Sequence, residues 1–136
     1  MLQAMNTGHD GSITTVHANS PRDAIARIET MALMANLNLP EKAVRQQIAS
    51  AIGVIVQISR MSDGTRRVTH LTEITGMDED VVSMQDVFLF EKRGIGLNGR
   101  VLGRFHATGV MPRFAEKIKS SGISVSPSLL DHSVEV

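Results

Sequence analysis

The feature that most constrains this chain is a change of hydrophobic period at Gly53. Ahead of it, apolar residues recur at helical spacing. Beyond it they come in short β-branched runs separated by turn formers, so the chain must combine helices with strands. Ser20 is placed to cap a helix, Pro21 suits its first position, and Asp23 adds negative charge to the first turn. Ala24, Ile25, Ile28, Met31, Ala32 and Ala35 then form one apolar stripe. Asn36-Leu37-Asn38-Leu39 reads as a connector. Pro40 opens a second helix with Ala43, Val44, Ile48, Ala51 and Ile52 on one face.

The second half reads as strands. Val54–Arg60 runs into the turn signal Ser62-Asp63-Gly64, and Arg66–Ile74 returns as its partner. A strand pair is expected at Val81–Met84 and Val87–Glu91, then a strand at Val101–His106 and a short helix at Pro112–Ser120. Residues Asp131–Val136 are expected to fray. Toward the other end, Met1–Met5 reads as a last helical turn stopped by Gly8, with no cap before it. Ser12-Ile13-Thr14-Thr15-Val16-His17 is β-branched and short, which predicts a strand.

Composition narrows the function classes. The 136 residues contain no Cys, which excludes a disulfide framework and Cys-based zinc, and fits a reducing compartment. No apolar run reaches the roughly 18–20 residues that span a bilayer, so a cytoplasmic location is expected. Net charge is zero but segregated. Residues 1–91 carry seven Lys/Arg against eleven Asp/Glu, and residues 92–119 carry seven against Glu116 alone. Such a basic segment can face an acidic partner or an anionic membrane surface, or be a solvated face beside an acidic domain. Nucleic acid is not expected as a partner, because no aromatic residues interleave with the basic ones.

Two motifs invite over-reading. Gly94-Ile95-Gly96-Leu97-Asn98-Gly99 matches G-x-G-x-x-G, but the dinucleotide fingerprint needs a helix to follow, and Arg100–Phe105 reads as strand. It is taken as a loop between strands. His9-Asp10 is a doublet of metal-binding type, with His17 eight residues on, at no recognised chelating spacing. No metal site is expected from His9, Asp10 and His17.

The informative segment runs from Gly8 to Ser20. A Gly-flexed loop leads to His17 and Asn19 just before a helix N-terminus, where α/β proteins collect ligands. A His so placed can donate to a phosphate oxygen or hold a water, and a purely structural role is equally compatible with it. This segment, with Ser20-Pro21-Arg22-Asp23-Ala24 and Arg27-Ile28-Glu29-Thr30-Met31, resembles the histidine box of type II/IV secretion ATPases. The nearest group is the CpaF-type motor of tight-adherence (Flp) pilus assembly. The resemblance continues through Gln47–Ile52, Ser62–Thr69, Glu73–Met77, Gly103-Arg104-Phe105, Ala107-Thr108-Gly109 and Pro112-Arg113-Phe114.

The resemblance implies the C-terminal half of a RecA-like P-loop NTPase over residues 1–91, followed by a Gly-rich basic extension over 92–136. It implies a hexamer of identical subunits beneath an inner-membrane platform protein, using ATP and Mg. His17 would be the histidine-box residue near the terminal phosphate, with His9 and Thr15 in the same box. Arg22, Arg27, Arg66 and Arg67 are candidates for subunit contacts. The sequence departs from the family in lacking G-x-x-x-x-G-K-[ST], and the resemblance puts the acidic Walker B motif ahead of Met1. The chain alone is therefore expected neither to bind nor to hydrolyse ATP, needing a missing N-terminal half. Residues 12–17 would be an inner strand of a parallel sheet, leaving an open edge prone to self-association. The competing expectation is a non-enzymatic module that docks through residues 92–119.

Overall fold

A computed structural model describes residues 11–35 and 38–136. The expected helical turn at Met1–Met5, His9, Asp10 and the first half of the Asn36–Leu39 connector lie outside the described residues. The chain forms two compact units, one drawing on residues up to Val54 and on Ile74–Met84, the other on Ile55–Glu73 and Gln85–Val136.

In the first unit, helix α1 (Pro21–Ala35) and helix α2 (Glu41–Ala51) form as their apolar stripes require. Ala24 and Ile25 of α1, and Val44, Ile48 and Ala51 of α2, are buried together with Ile74 and Val82. Val44 and Ile48 are fully enclosed, and each such side chain contributes about 1.5–3 kcal/mol relative to exposure. Polar groups fix the rim. Arg45 Nε lies 2.9 Å from Glu29 Oε1, and Arg45 also donates to the carbonyl of Asp80 at 3.2 Å. Gly53 ends the helical region, and its carbonyl accepts from the Ile74 amide at 2.9 Å.

Five strands follow: β1 (Val54–Arg60), β2 (Arg66–Asp78), β3 (Val81–Ile95), β4 (Val101–Ala107) and β5 (Ser133–Glu135). They form one antiparallel sheet in chain order. Helix α3 (Phe114–Ser120) and a 3-10 turn (Pro127–Asp131) lie between β4 and β5. The core of the second unit gathers Val87, Val101 and Leu130, with Thr72 and Pro112 also enclosed.

Four expectations are corrected here. Residues 12–17 form no strand; Ser12–Thr15 are exposed, Ile13 at 95%. β-branched residues favour a pleated, half-buried surface, but a strand exists only when a neighbour completes its hydrogen bonds, and no described residue pairs here. The inner strand of a parallel sheet is accordingly not formed, and the fold is mixed α/β with an antiparallel sheet. Next, β3 is one strand through Gln85-Asp86 rather than two. Its polar residues find partners on β2: Ser83 with Thr75 at 2.9 Å, Gln85 with Glu73 at 3.0 Å, and Asp86 with Thr72 at 2.6 Å. Cross-strand pairs of this kind hold a strand straight where a turn would otherwise be cheap.

β2 itself continues past Ile74 to Asp78, and Glu79, at φ 55, makes the tight turn into β3. Finally, the C-terminus does not fray. Phe105 pairs with Val134 and Arg104 with Glu135, and Gly103 and Val136 exchange two backbone bonds of 2.9 Å. The open edge of β4 supplies the partner that a three-residue stretch cannot announce in sequence.

Candidate functional site

The N-terminus of α1 is built by reciprocal capping. Ser20 Oγ accepts the Asp23 amide at 3.0 Å, while Asp23 Oδ2 accepts the Asn19 amide at 2.9 Å. Two otherwise orphaned donors are satisfied, which sets the angle at which the 11–19 segment enters the helix. Arg27, one turn on, donates through Nε to Asp23 Oδ2 at 3.2 Å. The Asn19 amide holds the Asp23 carboxyl below its usual range; desolvation, the next largest effect, opposes it, and Arg27 adds smaller lowering contributions.

His17 is exposed and lies on an open concavity of about 610 Å³, lined by Val16, His17, Asp23, Ala26, Arg27, Thr30 and Met31. The structure thus brings His17 and Arg27 to one surface beside a helix N-terminus. Thr15 is exposed and lies outside this lining, and His9 lies outside the described residues. Arg22 donates to the Val82 carbonyl at 2.6 Å, which ties the start of α1 to β3. Among the described residues, no group of three or more His, Asp and Glu side chains converges as metal ligands would.

The other two arginines singled out in sequence differ sharply. Arg66 is exposed, whereas Arg67 is largely enclosed, with its guanidinium 5.6 Å from the centre of the Phe90 ring. Arg67 NH2 donates to the carbonyl of Val101 at 2.7 Å, and Asp63 Oδ2 accepts the amide of the same residue at 2.7 Å. One peptide-bearing residue is therefore gripped on both its donor and its acceptor. Asp63 also takes the hydroxyl of Thr65 at 2.6 Å and its amide at 2.9 Å. The Thr65 hydroxyl first, then the Val101 and Thr65 amides, lower the Asp63 carboxyl to about 2, with Arg67 adding a smaller charge effect.

Sequence reasoning missed this clasp, and it missed Glu73. The Glu73 side chain is buried, accepting from Gln85 Nε2 at 3.0 Å and from the Arg113 and Phe114 amides at 2.8 and 2.7 Å. A carboxylate at the start of α3 satisfies donors that the helix cannot. The available signal was a lone acid inside the apolar run Leu71-Thr72-Glu73-Ile74, which has to find donors if it is buried.

The hairpin between β3 and β4 carries the Gly-rich match. Gly96 donates to the Arg100 carbonyl at 2.8 Å and Gly99 to Gly96 at 2.9 Å, so the loop closes on itself between two strands, as its sequence context required. The register shifts between Lys92 and Gly94, a bulge that twists the arm.

The capped helix presenting His17 and the clasped antiparallel sheet have counterparts by sequence in a known family. The model of the family described as "Type II/IV secretion system protein" matches residues 1–113, and the chain belongs to that family. Among similar curated proteins, a "Putative conjugal transfer protein" of Mycobacterium tuberculosis strain H37Rv is 29% identical over 103 residues, covering 64% of this chain and 29% of that one. "Conjugal transfer protein TrbB" of Rhizobium radiobacter is 37% identical over 76 residues, covering 56% and 22% respectively. The chain spans less than a third of the length of these relatives.

Proposed function

We propose that this chain contributes the histidine-box portion of an ATP-driven secretion or transfer motor, and that it is inactive by itself. The observation that carries this is the family match over residues 1–113, which includes the segment that brings His17 and Arg27 to one concavity. The names of the relatives favour conjugal transfer as the setting. The quoted motifs favour a tight-adherence pilus motor of the CpaF type, with a RecA-like core, identical subunits in a hexamer and a cytoplasmic position under an inner-membrane platform.

On their own, the residues of the concavity do not fit a nucleotide. Polyphosphate binding needs a cradle of backbone amides with a Lys, and Mg needs a hydroxyl or carboxylate held for it. Here the Asp23 amide is taken by Ser20, the Asn19 amide by Asp23, Pro21 offers none, and Arg27 is held by Asp23. What remains is an exposed imidazole able to donate to one phosphate oxygen or to orient a water. No hydrolytic step is assigned to this chain alone.

Calorimetric titration with Mg·ATP is expected to show no binding, and stoichiometric micromolar affinity would overturn the inactive reading. Mixed with a P-loop-bearing N-terminal half from the family, the chain is expected to restore turnover, and His17→Ala to reduce it by about 10²–10³-fold, the scale of losing one stabilising group. A mixture that stays inactive with the unaltered chain would sink the motor assignment.

A further inference from the structure

The basic stretch noticed in sequence is not spread evenly over the structure. Lys92, Arg93 and Arg100 are exposed on the β3–β4 hairpin, and no Asp or Glu occurs between Lys92 and Ala115. The same hairpin carries exposed aliphatic side chains: Leu97 is fully exposed at the loop, Ile95 is 60% exposed, and Leu102, paired with Gly94 and so on the other face, is 49% exposed. Of the acids near it, Asp63, beside Val101 where the loop meets β4, is held by Thr65, Val101 and Arg67, while Glu91, further down β3, is exposed and lies 3.8 Å from His106.

We propose that this hairpin is a membrane-contacting finger, inserting Leu97 and Ile95 at the interface of an anionic bilayer while Lys92, Arg93 and Arg100 meet lipid phosphates. The shape selects this occupant. A stable protein interface buries about 800 Å² per partner around an apolar centre, and two aliphatic side chains at the end of one hairpin offer no such area. A bilayer interface needs only shallow apolar insertion flanked by Lys and Arg. The loop closes on itself through the Gly96 and Gly99 amides, which leaves Leu97 at its tip, and a shallow interfacial position keeps the remaining backbone groups within reach of water and headgroups. This inference is independent of any ATPase activity.

The test uses the chain's lack of Trp and Tyr. Leu97→Trp places the sole indole at the fingertip, on a residue whose full exposure makes the substitution safe for folding. With vesicles of equal parts phosphatidylcholine and phosphatidylglycerol, its emission is expected to shift to the blue and to be quenched by brominated acyl chains; pure phosphatidylcholine should give neither. In co-sedimentation, Arg93→Gln and Arg100→Gln are each expected to weaken partitioning roughly fivefold, from about 1 kcal/mol per basic residue near the surface. Leu97→Asp is expected to abolish insertion with unchanged circular dichroism. Unshifted emission on anionic vesicles, or undiminished binding by Leu97→Asp, would overturn the proposal. So would complete displacement from vesicles by poly-glutamate at physiological salt, which would reassign the finger to an acidic protein.

Discussion

Asp63 accepts the Thr65 hydroxyl and the Thr65 and Val101 amides, and through these bonds it makes the stability of the second unit depend on acid. A free Asp titrates near 3.9, whereas Asp63 in the folded chain titrates at about 2. Because the folded value is the lower one, the stabilisation is present above pH ~4 and is lost as pH falls from ~4 toward ~2. Thermal melts across that window should show a fall in midpoint for the unaltered chain and a flatter profile for Asp63→Asn, which starts lower at neutral pH. Glu73 acts through geometry. Glu73→Ala leaves Gln85 and the amides of Arg113 and Phe114 without their acceptor, and urea unfolding should report a loss of about 1–3 kcal/mol. A loss below a few tenths would mean that water replaces the carboxylate without cost.

At the scale of elements, what the sequence made legible was whatever had a local cause. The capped start of α1, the period of α2, the Ser62-Asp63-Gly64 turn and the strand identity of Val101–His106 each follow from neighbours in the chain, and each is present. What escaped depended on distant partners. Ser12–His17 had strand propensity without a neighbour, β5 had a neighbour without a sequence signal, and β3 was kept whole by Thr72, Glu73 and Thr75 of β2. The candidate site divides in the same way: His17 was visible as a residue beside a cap, but its meeting with Arg27 needed the helix to be built.

Gly103 shows how tight the β3–β4 pairing is. A Cβ there would lie 2.3 Å from the Phe90 ring and 2.7 Å from the Glu91 carbonyl. The backbone atom cannot yield as a flexible side chain would. Gly103→Ala should therefore cost about 1–3 kcal/mol and disturb the Arg67–Phe90 contact, to be read by urea unfolding and by the ring's NMR shifts. An unchanged midpoint would show that the strand can shift aside.

For the whole molecule, charge and function are distributed differently from stability. Formal net charge is zero, but the acidic excess lies in residues 1–91 and the basic excess in 92–119, so the chain offers surfaces of opposite sign without any net repulsion. Among the described residues, Val56, Ile58 and Val68 stand more than a third exposed on the strands. A chain that spans under a third of its relatives has its activity tested by reconstitution, which is why silence toward Mg·ATP alone and recovered turnover in a mixture belong together as one expectation.

The grip on Val101 also sets an order in time. Asp63 and Arg67 belong to one hairpin and Val101 to the next, 38 and 34 positions further along the chain. Each hairpin can close early, because its own contacts are local, but the grip cannot exist until both have formed. A latch thrown last is expected to show itself in Asp63→Asn as faster unfolding with a nearly unchanged folding rate, and slower folding would count against that order.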